Sequence, residues 1–203
     1  MVDGFYMDKA TAVVFLNVIS NGKLPVSINT SSISNVRWKE IVATIISNHL
    51  IDSSNGVVRP DKGFDPFLIP MINAQAVVVY KRIDIDGAEF CVSVYPSPRG
   101  LSAIVDDMSE EVRFVRISSF DDLWLLLSPF SSVVKYIGLV LFEQDGTSIH
   151  TSEFDHRSNS VHFVGKRKGS NGNMEDQDLT VSVSEYKEML ISRLQEVCDA
   201  VSY

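Results

Sequence analysis

The sequence predicts an α+β fold: a large, mostly antiparallel sheet flanked by helical pairs in a quasi-two-fold arrangement. Three observations carry this. Between 76 and 117, four strand-length runs rich in Val, Ile, Phe and Tyr follow one another: AVVVYKRI (76–83), AEFCVSVY (88–95), LSAIVDD (101–107) and EVRFVRI (111–117). Only the turns DIDG, PSPRG and DMSE separate them, which is too little chain for a crossover helix and therefore favours an antiparallel meander. After a helical stretch at 118–130 come YIGLVLFEQ (136–144), TSIHTSEF (147–154), SVHFVGKRK (160–168) and a short LTVSV (179–183). Helical periodicity brackets the strands at both ends of the chain. At 203 residues this suits a single domain with three parts. Residues 1–75 are helical and winged-helix-like, 76–135 hold the first sheet half with its helix, and 136–203 hold the second half with the C-terminal helix.

Taken in order, the first helix is expected from Asp8, a good N-cap, to about Ser20, with Val13, Phe15, Leu16 and Ile19 spread around its circumference. NGKLP (21–25) ends it, with Gly22 near the C-cap and Pro25 beyond. The polar loop NTSSISN (29–35) leads into a second helix, Asn35 to His49, on which Val36, Trp38, Ile41, Val42, Ile45 and Ile46 form a broad apolar face. A short helix is expected between Pro66 and Asn73. SSFDDLWLLLSPF (118–130) is helical, with Ser118 or Ser119 as cap and Asp121-Asp122 near the positive end of the dipole. GSNGNMEDQD (169–178) has almost nothing to bury and reads as a mobile loop. The last helix, Ser184 to about Val201, carries Tyr186, Leu190, Leu194, Val197 and Val201 on one face.

Composition narrows the function. Hydrophobic residues make up 45% and charged residues 22%, as in ordinary soluble domains. The net charge of −8 disfavours general affinity for nucleic acid or anionic membranes. Residues 1–80 are balanced, with six basic and six acidic side chains, so the acidic excess lies in 81–203. Cys91 and Cys198 read as buried free thiols of a reducing compartment. The N-terminus has acids where a signal peptide has bases, and no apolar run has the length of a membrane span, so a cytoplasmic location is expected.

The chemistry-bearing candidates each have a structural explanation. IISNHLIDSSNGVVRP (45–60) reads like the helix and wing of a DNA-binding module, but Arg37, Lys39 and Arg59 are few bases against the need to neutralise several phosphates. His150, His156 and His162 are six apart, yet the DHRSN turn breaks the strand between them; a hairpin centred on Arg157 sets His150 opposite Val164 and His162 opposite Ser152. Asp84/Asp86, Asp106/Asp107 and Asp121/Asp122 fall at turns and a helix start, where solvated or capping acids belong. No nucleophile elbow, phosphate loop or Cys-His signature is present, so neither catalysis, cofactor nor metal is expected. A protein partner is. Phe114, Arg116, Phe142 and Met174 are its candidate contacts, the first three on charge-rimmed strands and the last in the acidic segment 169–178.

The order of parts resembles one family. GKLPVSI (22–28), IISNHLIDSSNGVVRPDKGF (45–64), IPMINAQAVVVY (69–80), the meander, FDDLWLLLSP (120–129) and the closing LTVSVSEYKEMLISRLQEV (179–197) together look like the EspG-like cytosolic chaperones of type VII secretion. EFDHRSNSVHF (153–163) keeps Asp155 and Arg157 of a late family segment without its Gly and Tyr. The resemblance implies a quasi-two-fold fold without catalysis. It also implies binding of a helical secreted protein or heterodimer through an apolar surface. The alternatives are an immunity-type protein that binds a toxin and a winged-helix regulator.

Overall fold

Among the described residues, one antiparallel sheet of nine strands organises the α+β fold, in the spatial order Gly4–Asp8, Glu111–Ile117, Gly100–Asp106, Glu89–Ser97, Ala76–Asp84, Val133–Phe142, Thr147–Asp155, Ser160–Lys168 and Met174–Ser182. The structure is a computed structural model that describes residues 4–22, 28, 30–52, 58–74, 76–97, 99–107, 109–127, 133–142, 147–155, 157–168 and 174–200. For 133, 134, 136–142, 147–150, 167, 168, 174 and 200 it describes the backbone only.

The chain starts with β1 (Gly4–Asp8), a strand the sequence reading missed, and turns at once into α1 (Lys9–Ser20). Asp8 does cap α1, its carboxylate accepting the Thr11 N–H at 3.0 Å, and Asn21 and Gly22 end the helix with positive φ. Lys9 sends its ammonium to the buried Asp106 at 2.8 Å, so Asp106 is not the solvated turn acid its position suggests but anchors the start of α1 to the sheet. α2 (Asn35–Ser47) is capped by Ser34 and buries a narrower stripe than expected: Ile41 and Ile45 are inside, while Val36 is 68% and Ile46 52% exposed. α2 packs on α1 rather than on the sheet, so only one edge of its apolar surface finds cover. A two-residue ribbon, β2 (Ile51–Asp52) with β3 (Arg59–Pro60), and a 3-10 turn (Lys62–Phe64) lead to α3 (Asp65–Ile72).

β4 (Ala76–Asp84), β5 (Glu89–Ser97), β6 (Gly100–Asp106) and β7 (Glu111–Ile117) form the first meander, followed by α4 (Phe120–Leu127). β8 (Val133–Phe142), β9 (Thr147–Asp155), β10 (Ser160–Lys168) and β11 (Met174–Ser182) form the second, followed by α5 (Val183–Ala200). Two units of four strands and a helix therefore meet at the β4–β8 pair, related by a quasi-two-fold axis through the sheet. β11 begins five residues before the expected strand at 179, so Met174–Asp178 is paired chain and not loop; 169–173 lie outside the described residues.

Strand alternation then decides what lies on each face. Tyr80, Val78, Val94, Ala103 and Val115 point to one side and meet Leu123 and Leu127 of α4 and Tyr186, Leu190 and Leu194 of α5. Val77, Tyr95, Ile104 and Phe114 point to the other and meet α1 and α3. The face under α4 and α5 is roofed across both units, because Val161 and Phe163 of β10 belong to the same core. Among the described residues, the opposite face is roofed over β1 and β4–β7.

Candidate functional site

The site is best built from SVHFVGKRK, where two apolar residues, Phe163 and Val164, are adjacent. On a strand they must face opposite ways. Val161 and Phe163 go inward beneath α5, where the Tyr186 ring packs edge-on against Phe154 at 5.7 Å. His162, Val164 and Lys166 therefore face the other side, and there all three are exposed, Val164 at 45%. Asp176, Asp178, Thr180 and Ser182 of β11 share that face and are exposed as well.

Register extends this surface toward the middle of the sheet. Asp178 pairs with Val164, Val164 with Thr151, Thr151 with Ile137 and Ile137 with Lys81. The row continues the face on which α1 and α3 cover Val77 and Phe114, but no helix lies over β9–β11 on this side among the described residues. One hydrogen bond and two ion pairs frame Val164: His162 Nε2 with Asp178 Oδ1 at 2.8 Å, then Lys166 to Asp176 at 3.5 Å and Lys135 to Glu153 at 3.1 Å. Exposed pairs of this kind hold little energy and rearrange at small cost, so they form a rim that adapts to a partner.

The β9–β10 register is one residue away from the expected one: Thr151 faces Val164 and Glu153 faces His162. The turn has four residues, 156–159, with Asp155 accepting the Arg157 N–H at 2.9 Å and Asn159 at φ 50°, so the hairpin is centred between Arg157 and Ser158. Among the described residues no three His, Cys, Asp or Glu side chains gather in a metal-binding group; His156 and the side chain of His150 lie outside them.

Of the four candidate contacts, Phe114 changes role. It is fully buried and stacked on Phe5 at 4.6 Å with rings nearly parallel, because β1 pairs beside it and α1 and α3 cover that end of the sheet. It is core and cannot meet a partner. Arg116 is exposed on the same strand, opposite Ser102. Phe142 ends β8 opposite Ala76, and Met174 opens β11 opposite Lys168; their side chains lie outside what is described. The structure does not gather the four at one place. The sequence reading missed Val164 and His162, although the adjacent Phe163-Val164 pair was a usable signal that one large apolar residue must turn outward.

Titratable groups in the interior are set for packing. Burial pushes the Tyr80 and Tyr95 hydroxyls far up, and burial raises Tyr186 to about 12. Cys198 rises to about 11 through burial and the neighbouring Asp199 charge, so its thiol stays protonated and unreactive at neutral pH. Neither Cys91 nor Cys198 is in a disulfide, and both are half-buried rather than fully buried. The winged part offers few bases: Arg37 is tied to Glu40 at 3.3 Å on the exposed side of α2. Among the described residues no helix is long and apolar enough to cross a membrane.

Comparison of the sequence with protein-family models returns no matching family, and comparison with curated proteins returns no match.

Proposed function

We propose that this chain is a non-enzymatic adaptor, a cytosolic chaperone of the type VII secretion kind, that shields a helical secreted protein on the bare face of β9–β11. One observation carries the reading. Helices α1 and α3 cover this face over the first unit of the quasi-two-fold sheet, and among the described residues none covers it over β9–β11. A helical partner laid across Val164 and Thr151 would take the place that α1 and α3 hold over β5–β7. The exposed valine within a rim of polar and charged pairs supports a docking surface of moderate polarity, as recognition of a partner that must later be released requires. The EspG-like order of elements noted in the sequence supports the same class of partner.

The test is coexpression with the helical, secretion-targeted protein encoded beside this chain. The partner should become soluble and elute with the chain as one complex, and Val164→Asp should abolish the complex while the chain keeps its far-UV circular dichroism spectrum. A neighbour that stays insoluble beside a well-folded chain, or a complex indifferent to Val164→Asp, would refute the proposal.

A further inference from the structure

We propose that the outer edge of β11 accepts a tenth strand from a basic, extended segment of another protein. The site is separate from the bare face and does not depend on the adaptor reading. β11 is the last strand of the sheet and pairs only with β10; among the described residues nothing pairs with its other side. Its nine residues present an edge about 30 Å long, with backbone N–H and C=O groups directed outward. At the opposite end of the sheet the corresponding edge, that of β7, is covered by β1, which pairs with it antiparallel over five residues. The quasi-two-fold axis puts the counterpart of β1 beside β11, a place the described chain leaves empty.

A cleft runs beside that edge. It has a volume of about 250 Å³ and is lined by Gln177 of β11 and Glu188, Met189, Ser192, Arg193 and Glu196 of α5. Arg193 belongs to the wall: it donates to the Lys166 carbonyl at 3.1 Å and to Gln177 Oε1 at 2.6 Å, and its guanidinium lies 4.8 Å over the Phe163 ring. Glu188 and Glu196 are exposed and eight residues apart, which on a helix is a separation of about 12 Å along the axis. Residues i and i+4 of an added strand are about 13 Å apart on one face. Lysines or arginines at those positions would reach both carboxylates, with residue i+2 over Ser192. Exposed Glu175, on the same side of β11 as Gln177, gives the edge the same sign. That sign also argues against a second copy of this chain, since two β11 edges would bring carboxylates together.

The experiment uses the full chain and a fluorescent peptide, TTKTVTKTT, capped at both ends, with two controls: glutamate for both lysines, and proline for the central valine. Binding is measured by anisotropy, and backbone amide exchange is followed by NMR. The lysine peptide should bind at least ~tenfold more tightly than either control, and new amide protection should fall on Met174–Ser182. The Glu188→Lys/Glu196→Lys double variant should lose at least ~tenfold in affinity. The milder Glu188→Gln and Glu196→Gln variants, at exposed helix positions, repeat the comparison should the double variant fold poorly. Equal binding of the glutamate peptide, protection elsewhere than on β11, or unchanged affinity in all the variants would overturn the proposal.

Discussion

Two residues on the same face of the sheet, one on β7 and one on β10 toward its opposite ends, summarise the chemistry of this chain. Phe114 and Val164 are both apolar and each has an apolar neighbour in sequence, yet one is fully buried and the other almost half exposed. The difference lies in what the chain lays over each. Phe114→Ala should therefore destabilise the fold by about 3–5 kcal/mol, read as a shift in the urea midpoint, because it opens a cavity against Phe5 and Phe67 beneath the helices. Reading exposure from strand sequence alone fails at such positions. Alternation tells which residues share a face, and nothing in EVRFVRI or SVHFVGKRK says which face receives a helix. Asp106 repeats the lesson in the polar class: it stands at a turn but is buried with Lys9 as its cation, a contact across nearly a hundred residues that no local pattern encodes.

At the scale of elements the sequence was informative where its periodicity was strong. The four strands of the first meander and the helices after Asp8 and before Asn73 appear close to their expected bounds, because Val-rich runs and caps act locally. The two failures are edge elements. GFYMD has only five residues, and MEDQD is acidic because an edge strand with solvent on one side resists aggregation through charge, which makes it read as loop. The junction of β11 and α5 is one place where local chemistry decides the outcome. Ser182 and Glu185 form a reciprocal cap: the Ser182 N–H donates to Glu185 Oε2 at 2.8 Å, and the Glu185 N–H donates to Ser182 Oγ at 3.3 Å. Ser182→Ala should cost about 1 kcal/mol in chemical denaturation. The Ser182 N–H holds the Glu185 carboxyl below its ordinary 4.5. A depressed carboxylate stabilises the fold above that ordinary value and ceases to do so as pH falls through the lower folded one. Glu185→Gln should thus be less stable than the parent at neutral pH, and the gap in melting temperature should close in acid.

For the molecule as a whole, the asymmetry within a quasi-symmetric sheet is the feature with functional content. Two units of four strands and a helix share one roofed face, and among the described residues only the first unit has helices laid over the other. The fold class was legible from the order of elements; the bare half was not, since it depends on where α1–α3 settle after the chain has left them. The adaptor reading makes that half a seat for another protein's helices. Its most direct test is thiol labelling of a Val164→Cys variant by a maleimide, alone and after coexpression with the neighbouring helical partner, with Tyr6→Cys on the far edge strand as control. We expect rapid labelling at 164 in the free chain, at least ~tenfold slower labelling in the complex, and no change at position 6. Position 164 labelling equally fast in a stable complex would place the partner elsewhere and contradict the account.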